Sequence, residues 1–295
     1  MTYGPACGHG AAVPRCLLAF MWEPRYGAKA GKDIAAALTV RILLVSDLHY
    51  TLPQLDWVVR CAPAFDVVVI AGDHLDGSSP VPLETQSMVL LRYFSLMKPA
   101  RSLVLASGNH DLTGADRHGE RAALWLPESR RPGVLTDGDS LSAGDDDTLF
   151  TVCPWWDGPS GRAEVERRLQ ADTQRKAARW MWIYHWPPMG SPTCWTGKRH
   201  YGDADLTEWI ARFRPDFVLT GHVHEPPFKP AGAWADRIDG GLNNGTWVFN
   251  AGRQIGPVPA HIVIDLQAGT ASWYSMMGEE SVALDAANAP ARTVF

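Results

Sequence analysis

The sequence predicts an α/β fold in which buried strands form sheets that are covered by helices. Three observations lead to this fold class. Short apolar runs of strand length alternate with stretches whose apolar residues recur at helical spacing. The runs are almost continuously apolar, as strands are when both faces of a sheet are covered. Each of the first three strands also ends on polar residues, and ligands bind at the carboxyl ends of the strands in such sheets.

Five predicted elements follow one another in the first half of the chain, starting at residue 40. A continuous apolar run such as Ile42-Leu43-Leu44-Val45 predicts a buried strand, and apolar residues at helical spacing, such as Leu91 and Phe94, predict a helix. In order, these elements are a strand at 40–47, a helix at 55–62, a strand at 65–73, a helix at 85–98 and a strand at 101–106. The polar residues that end the three strands should therefore meet at one edge of a sheet.

The second half repeats this pattern with shorter strands and without an internal repeat. Strands are predicted at residues 148–153, 180–184, 217–220, 233–239, 246–250, 261–266 and 271–275, and helices at 162–179 and 206–213. The last two strands are interpreted as a hairpin joined by residues 267–270. We therefore expect one domain over residues 40–280, followed by a C-terminal tail at 281–295.

Residues 1–39 differ from the rest of the chain, because Gly, Pro and Ala surround isolated aromatic residues without a period of 2 or 3.6. We interpret them as an irregular N-terminal extension that is dispensable or not native, with Val40 at the start of the domain. The alternative is a genuine extension that packs on the domain through apolar residues between positions 17 and 22. A chain that begins at Val40 and still folds would favour the first interpretation.

Composition excludes several classes of protein. The chain has 295 residues, of which 46% are hydrophobic and 20% charged, so it can bury a core and is not intrinsically disordered. No apolar run reaches the ~18 residues that span a bilayer. The 27 basic residues against 32 acidic ones give no basic footprint for nucleic acid or an anionic membrane. Five cysteines without a C-x-x-C motif, and a start without a secretion signal, favour the reducing cytoplasm.

Side chains that bind metals follow the predicted strands at five separate places. They are Asp47 and His49, then Asp73, then Asn109 and His110, then His185, and finally His222 and His224. Carboxylates and imidazoles together suit Mn, Fe or Zn, whereas a calcium site would use fewer histidines. Two ions with four ligands each need about eight ligand positions, which is close to the number present. The sequence therefore predicts a site for two divalent or trivalent metal ions.

The same residues form a pattern that resembles the calcineurin-like metallophosphoesterase family. The pattern is Asp47-x-His49, Gly72-Asp73-x-x-Asp76, Gly108-Asn109-His110-Asp111, His185 and Gly221-His222-x-His224, in this order. Each block alone is a weak signal, but five blocks in order at strand ends are a strong one. The resemblance covers roughly residues 41–266. It implies a four-layer α-β-β-α sandwich with the active site at the carboxyl ends of the strands.

The resemblance also implies a role for each matching residue. The first metal would be held by Asp47, His49, Asp73 and His224. The second would be held by Asp73, Asn109, His185 and His222, with Asp73 bridging the ions through its two oxygens. His110 would face the scissile phosphate and donate a proton or hydrogen bond, and Asp111 would orient His110. A metal-bridged hydroxide would then attack the phosphorus of a phosphate ester.

Departures from the family pattern narrow the substrate class. The segments Asp73-His74-Leu75-Asp76-Gly77 and Asn109-His110-Asp111 lack the Arg and the Glu that Ser/Thr protein phosphatases of this superfamily carry there. We therefore predict hydrolysis of a phosphodiester or nucleotide-like small molecule. A phosphomonoesterase, a DNA or RNA nuclease and a catalytically inactive binding scaffold stay open as alternatives. Nucleic acid is a disfavoured partner, and the sequence does not indicate an oligomeric state.

Aromatic and basic residues near the motifs are candidates for contact with the substrate. Trp155 and Trp156 follow a predicted strand and Trp186 follows the fourth motif, so their indoles could stack on a base or an aryl leaving group. Packing of the loops is the alternative for these residues. Arg253 follows another strand and could meet the substrate phosphate or form a structural salt bridge. Residues 187–202 could form a mobile lid or a solvated loop.

Overall fold

Two large stacked β-sheets with helices on their outer faces, together with a small two-stranded sheet, make up the computed structural model, which describes residues 40–143, 148–175, 177–239 and 245–284. The helices are α1 (Leu52–Cys61), α2 (Leu83–Leu96), α3 (Pro159–Asp172) and α4 (Ala204–Phe213). The strands are β1 (Arg41–Val45), β2 (Val67–Ala71), β3 (Ser102–Ala106), β4 (Gly114–Ala115), β5 (Arg121–Ala122), β6 (Val134–Leu135), β7 (Ser140–Ala143), β8 (Thr148–Val152), β9 (Arg179–Ile183), β10 (Phe217–Thr220), β11 (Ala235–Ile238), β12 (Thr246–Asn250), β13 (His261–Asp265), β14 (Thr270–Ser275) and β15 (Gly278–Ala283).

Both sheets have a parallel centre. The first sheet has the strand order β15-β14-β13-β1-β2-β3-β6, and the second has the order β11-β12-β10-β9-β8-β7. In the first sheet β1, β2, β3 and β6 are parallel, and β13, β14 and β15 continue from β1 in antiparallel pairs. In the second sheet β8, β9, β10 and β12 are parallel, and an antiparallel strand closes each side. The parallel strands of each sheet therefore end at one common edge.

Alternating side chains of β1 show how the layers are held together. Ile42 and Leu44 lie in the core between the two sheets, whereas Leu43 and Val45 lie in a second core with residues of α1 and α2. All four side chains are fully buried, as the period of two requires in a strand that is covered on both faces. Burying one such side chain stabilises the fold by about 1.5–3 kcal/mol.

The second sheet is covered in the same way. Phe150 and Ile183 lie in the core between the sheets, and Trp182 lies on the opposite face. That face forms a third core with Leu169 of α3 and Trp209 of α4. The order of layers is helix, sheet, sheet, helix, so the predicted four-layer α-β-β-α sandwich is confirmed.

The predicted elements occur near their expected positions, but the helix predicted at 162–179 is wrong at both ends. It begins at Pro159 and ends at Asp172, and Arg179 already belongs to β9. The prediction missed β15 because the residues of this edge strand are mostly polar and exposed. It also missed β4 to β7, whose two to four residues are too few to show a period.

Within the described residues, no helix is both long and apolar enough to cross a membrane. The expectations for residues 1–39 and for most of the C-terminal tail fall outside the described residues. β15 continues past the expected domain boundary at residue 280 and ends at Ala283.

Candidate metal centre

Polar side chains from both sheets meet where the parallel strands end. The contributing strands are β1 with Asp47 and His49, β2 with Asp73, β3 with Asn109 and His110, β9 with His185, and β10 with His222 and His224. The structure thus brings together the aspartates and histidines that the sequence analysis selected. Among the described residues, every group of acidic, histidine or cysteine side chains able to hold a metal lies at this edge.

Asp47, His49 and His224 form the first cluster of this centre. The Nε2 atoms of His49 and His224 are 3.3 Å apart. A carboxylate oxygen of Asp47 lies 3.3 Å from Nε2 of His224 and 4.0 Å from Nε2 of His49. Two imidazole nitrogens and one carboxylate oxygen at these separations form one side of a coordination shell for a divalent ion.

Asp73, His185 and His222 form the second cluster. Oδ2 of Asp73 lies 3.2 Å from Nε2 of His185 and 3.7 Å from Nε2 of His49, which belongs to the first cluster. Oδ1 of Asp73 instead accepts a hydrogen bond from the backbone N–H of His110, at 2.9 Å. One oxygen of Asp73 therefore faces both clusters, whereas the sequence analysis expected both oxygens to do so.

Three buried atoms near the second cluster have no hydrogen-bond partner within the described part of the chain. They are Oδ1 of Asn109, Nε2 of His185 and Nε2 of His222. Nδ1 of His185 donates to the carbonyl oxygen of Ala71 at 2.6 Å, so Nε2 lacks a partner only in the neutral ring, and in the protonated ring it faces Oδ2 of Asp73 at 3.2 Å as a donor. A buried polar atom without a partner costs about 1–3 kcal/mol. A cation is the partner that would satisfy all three atoms, so these residues fit a metal.

Three glycines let the backbone pack directly against the cluster residues. A Cβ atom on Gly108 would lie 2.2 Å from Oδ1 of Asp73, and one on Gly72 would lie 2.3 Å from Nδ1 of His185. A Cβ atom on Gly221 would lie 2.5 Å from a carboxylate oxygen of Asp47. These positions exclude any side chain, which explains why a glycine precedes Asp73, Asn109 and His222 in the motifs.

Several residues of the centre have the left-handed backbone conformation, which is unfavourable for residues other than glycine. The φ angles are 54° for Asp47, 40° for His49, 53° for Asp73 and 65° for His222. Such conformations cost on the order of 1–3 kcal/mol each and persist where the surroundings enforce them. Here the carboxylate of Asp47 accepts a hydrogen bond from the backbone N–H of His222 at 3.1 Å, which stabilises the left-handed conformation of His222.

Burial and neighbouring charges favour the metal-binding protonation states of His49, His222, Asp47 and Asp73, but not that of His185. Burial lowers the pKa of His49 to about 4 and the pKa of His222 to about 3. For Asp47 and Asp73 burial raises the pKa, but hydrogen bonds and the charges of adjacent histidines outweigh burial and lower it. For His185 burial lowers the pKa, but Asp73 and Asp47 outweigh burial and raise it to about 9. A metal would therefore displace a proton from His185 on binding.

His110 lies beside both clusters and is more exposed than their other histidines. Its side chain is 41% exposed, compared with 34% for His224 and 0% for His185. Its Nε2 is 4.0 Å from Oδ2 of Asp73, and its ring packs edge-on against His49 with the centroids 4.7 Å apart. His110 is thus within reach of a group bound at the centre while it remains open to solvent.

Among the described residues no hydrogen bond joins the carboxylate of Asp111 to the ring of His110, so the orienting role stays a prediction. Its buried carboxylate accepts hydrogen bonds from the backbone N–H groups of His74, Leu75 and Gly108, at 2.8–3.0 Å. Asp111 therefore fixes the backbone of the two loops that carry Asp73 and Asn109. Backbone contacts of this kind leave no trace in the residue pattern from which the role was predicted.

Comparison with known proteins identifies the family. The family model described as calcineurin-like phosphoesterase matches residues 40–226, which is more than half of the chain. The chain belongs to this family. The matched range includes the five strand ends that form the two clusters.

Solved structures with the same fold are only distantly similar in sequence. Protein TT1561 of Thermus thermophilus is 16% identical with a TM-score of 0.52, and the match covers 84% of this chain and 100% of that one. The purple acid phosphatase PPD1 from yellow lupin (Lupinus luteus) is 12% identical with a TM-score of 0.51. That match covers 83% of this chain and 54% of the lupin enzyme. No curated protein sequence matches the chain significantly.

Asn250 supports the candidate centre, but the sequence analysis did not select it. It ends β12, and its side-chain nitrogen lies within hydrogen-bond distance of three backbone carbonyl oxygens, those of Thr193, Gly221 and Val223, at 3.0, 3.2 and 2.9 Å. Its Oδ1 accepts the N–H of Gly252 at 2.9 Å. The fully buried amide thus holds the turn around His222. The sequence feature that could have identified Asn250 is its position as a polar residue at the end of a buried strand.

Replacement of Asn250 should lower the metal affinity of the centre without removing a metal ligand. We expect Asn250→Ala to lower metal affinity about 10–100-fold, the usual effect of losing a group that holds a ligand in place. Equilibrium dialysis against Mn would measure the change. Thr151→Val is the matched control, because it removes a buried hydroxyl from the same sheet that bonds Asp172 at 2.8 Å. Wild-type affinity in Asn250→Ala would contradict this expectation.

The four residues predicted to contact substrate differ in their position relative to the candidate centre. The rings of Trp155 and Trp186 lie 5.1 and 5.2 Å from the ring of His222. Trp156 is half-buried and packs against the third core instead, and its indole N–H donates to the hydroxyl of Tyr184 at 2.8 Å. Arg253 is exposed, and its backbone N–H donates to the carbonyl oxygen of His224 at 3.1 Å.

Proposed function

We propose that the protein is a metal-dependent phosphoric ester hydrolase with two metal ions, which are Mn, Fe or Zn. The observation that carries this proposal is the pair of clusters that share Oδ2 of Asp73. Membership of the calcineurin-like phosphoesterase family supports hydrolysis of a phosphate ester. The proposed substrate is a phosphodiester or a nucleotide-like small molecule.

The proposed ligands follow from the clusters and the unpartnered atoms. The first metal would be held by Asp47, His49, Asp73 and His224, and the second by Asp73, Asn109, His185 and His222. When bound, the two ions would supply Lewis-acid activation of the phosphate and of the attacking water. Asn109 suits this set because its amide oxygen coordinates without adding a negative charge to a centre that already holds Asp47 and Asp73.

His110 is the proposed catalytic residue that acts on the substrate directly. Its position beside both clusters and its exposed ring allow Nε2 to donate a hydrogen bond or proton to a phosphate held there. The backbone N–H of His110 donates a hydrogen bond to Oδ1 of Asp73, which holds the backbone that carries the imidazole ring in place. Asp111 supports this geometry through the backbone and is proposed as a positioning residue.

Arg253 is proposed to contact the substrate phosphate from the side of the first cluster. Burial is the main cause of the low pKa of His49, and the nearby positive charge of Arg253 contributes to it. The same charge contributes to the lowered pKa of Asp76, for which hydrogen bonds from Ser78 are a larger cause. The backbone N–H of Arg253 donates to the carbonyl oxygen of His224, a member of the first cluster, which supports approach of its side chain to a phosphate from that side.

Metal analysis combined with a substrate screen tests the function. After loading with Mn, we expect about two ions per chain. We also expect faster hydrolysis of bis(p-nitrophenyl) phosphate than of p-nitrophenyl phosphate, with loss of both activities in a chelator. Faster hydrolysis of the monoester would indicate a phosphomonoesterase, and salt-sensitive cleavage of DNA would indicate a nuclease. Two bound ions without hydrolysis of any ester would indicate a binding scaffold and overturn the proposal.

A cytoplasmic location is also part of the proposal. The described cysteines Cys61, Cys153 and Cys194 are free thiols, and Cys153 and Cys194 are buried. Free thiols are usual in a reducing compartment. Fractionation of the native host cell would test the location.

A further inference from the structure

Three aromatic side chains surround His222 on the outer side of the second cluster. The ring centroids of Trp155, Trp186 and Tyr201 lie 5.1, 5.2 and 5.3 Å from that of His222. We call these three residues the aromatic rim. Tyr201 was not selected by the sequence analysis, because it lies 15 residues after Trp186 in a loop without a period.

The aromatic rim is fixed by its own contacts and is tied to the metal centre. Trp155 and Trp186 stack with centroids 5.3 Å apart and an angle of 21° between the rings. The indole N–H of Trp186 donates to the carbonyl oxygen of Tyr201 at 3.2 Å. The backbone N–H of Trp155 donates to the hydroxyl of Ser107 at 2.9 Å, two residues before Asn109. A surface held in this way binds a ligand without further ordering.

The exposure of the aromatic rim separates it from the aromatic core. Tyr201 is 40% exposed, and Trp155 and Trp186 are half-buried, whereas Trp182 and Trp273 in the cores are at most 2% exposed. Clustered aromatic rings that stay open to solvent beside a catalytic centre are typical of a binding surface. The guanidinium of Arg199, 5.6 Å from the ring of Tyr201, adds a cation at the outer margin.

We propose that the aromatic rim is a subsite for a planar aromatic group of the phosphate ester, a nucleobase or an aryl ring, and that Tyr201 determines this specificity. The inference rests on the proposed phosphoesterase function. The three rings lie against His222, a proposed ligand of the second metal, so an aromatic substituent of a phosphate held at the centre can reach them. Base stacking on aromatic side chains then strengthens binding about tenfold or more.

Calorimetry on the Mn-loaded full chain tests the subsite with matched pairs of ligands. Phenylphosphonate is compared with methylphosphonate for an aryl ring, and AMP with ribose 5-phosphate for a nucleobase. In at least one pair we expect the aromatic ligand to bind about tenfold tighter than its non-aromatic partner. The pair with the larger ratio identifies the preferred group as an aryl ring or a nucleobase. In Tyr201→Ala this ratio should fall to about threefold or less, while inorganic phosphate and both metals still bind as in the wild type.

Two further variants separate stacking from a structural role of Tyr201. Tyr201→Phe retains the ring and should retain the preference, and Tyr93→Ala on α2 should change neither ligand pair. Loss of the preference in Tyr201→Phe would overturn the stacking role. Equal affinities within both pairs, with inorganic phosphate bound normally, would overturn the subsite alone. Failure of inorganic phosphate to bind the metal-loaded protein would overturn the proposed function and the subsite with it.

Discussion

Asp73→Asn is expected to lower the occupancy of both metals and to reduce hydrolysis by about 10²-fold or more. Oδ2 of Asp73 lies 3.2 Å from Nε2 of His185 and 3.7 Å from Nε2 of His49, so one substitution removes a charge from both clusters. The amide oxygen of asparagine can still accept the backbone N–H of His110, as Oδ1 does now. The loop should therefore keep its shape, and the effect can be assigned to the lost charge. Metal content per chain measures the result.

Asp76→Asn is the matched control for this experiment. It removes a carboxylate three residues later in the same loop, where Oδ1 accepts hydrogen bonds from the backbone and hydroxyl of Ser78 at 2.8 and 2.6 Å. We expect both metals to remain bound in this variant. If Asp73→Asn also kept two metals and full turnover, the shared carboxylate would be refuted.

His110→Ala is expected to retain both metals while kcat falls by about 10²-fold or more. The ring is 41% exposed and its Nε2 is 4.0 Å from Oδ2 of Asp73, whereas His185 lies closer to the same oxygen and is fully buried. This position suits a group that donates to the substrate. Metal analysis and steady-state kinetics on the same preparation give the two readouts that the assignment needs.

The competing assignment is that His110 is a ligand, because His49, Asp73 and His110 also lie close enough together to hold an ion. Parallel loss of metal and activity in His110→Ala would establish that role and overturn ours. His118→Ala is the control, since His118 is an exposed histidine whose ring contacts only the adjacent Arg117 at 3.0 Å among its described hydrogen bonds. It should leave metal content and kcat unchanged.

The strands and the polar residues that end them could be predicted from the sequence because both depend on local pattern. A run such as that of β2 is fully buried in all five positions, and Asp73 follows it by two residues. Asn250 could not be assigned in this way, since it contacts carbonyl oxygens 27 to 57 positions earlier in the chain. The hydrogen bonds of Asp111 could not be predicted either, because they come from backbone N–H groups, which almost all residue types share.

The division of the centre between the two sheets has a mechanical consequence. Asp47 and Asp73 come from the first sheet, and His185, His222 and His224 come from the second. Each cluster contains members of both groups, so each bound ion would act as a cross-link that fastens one sheet to the other at a single edge. Withdrawal of the ions would remove both cross-links, and we expect the two sheets to separate from that edge first.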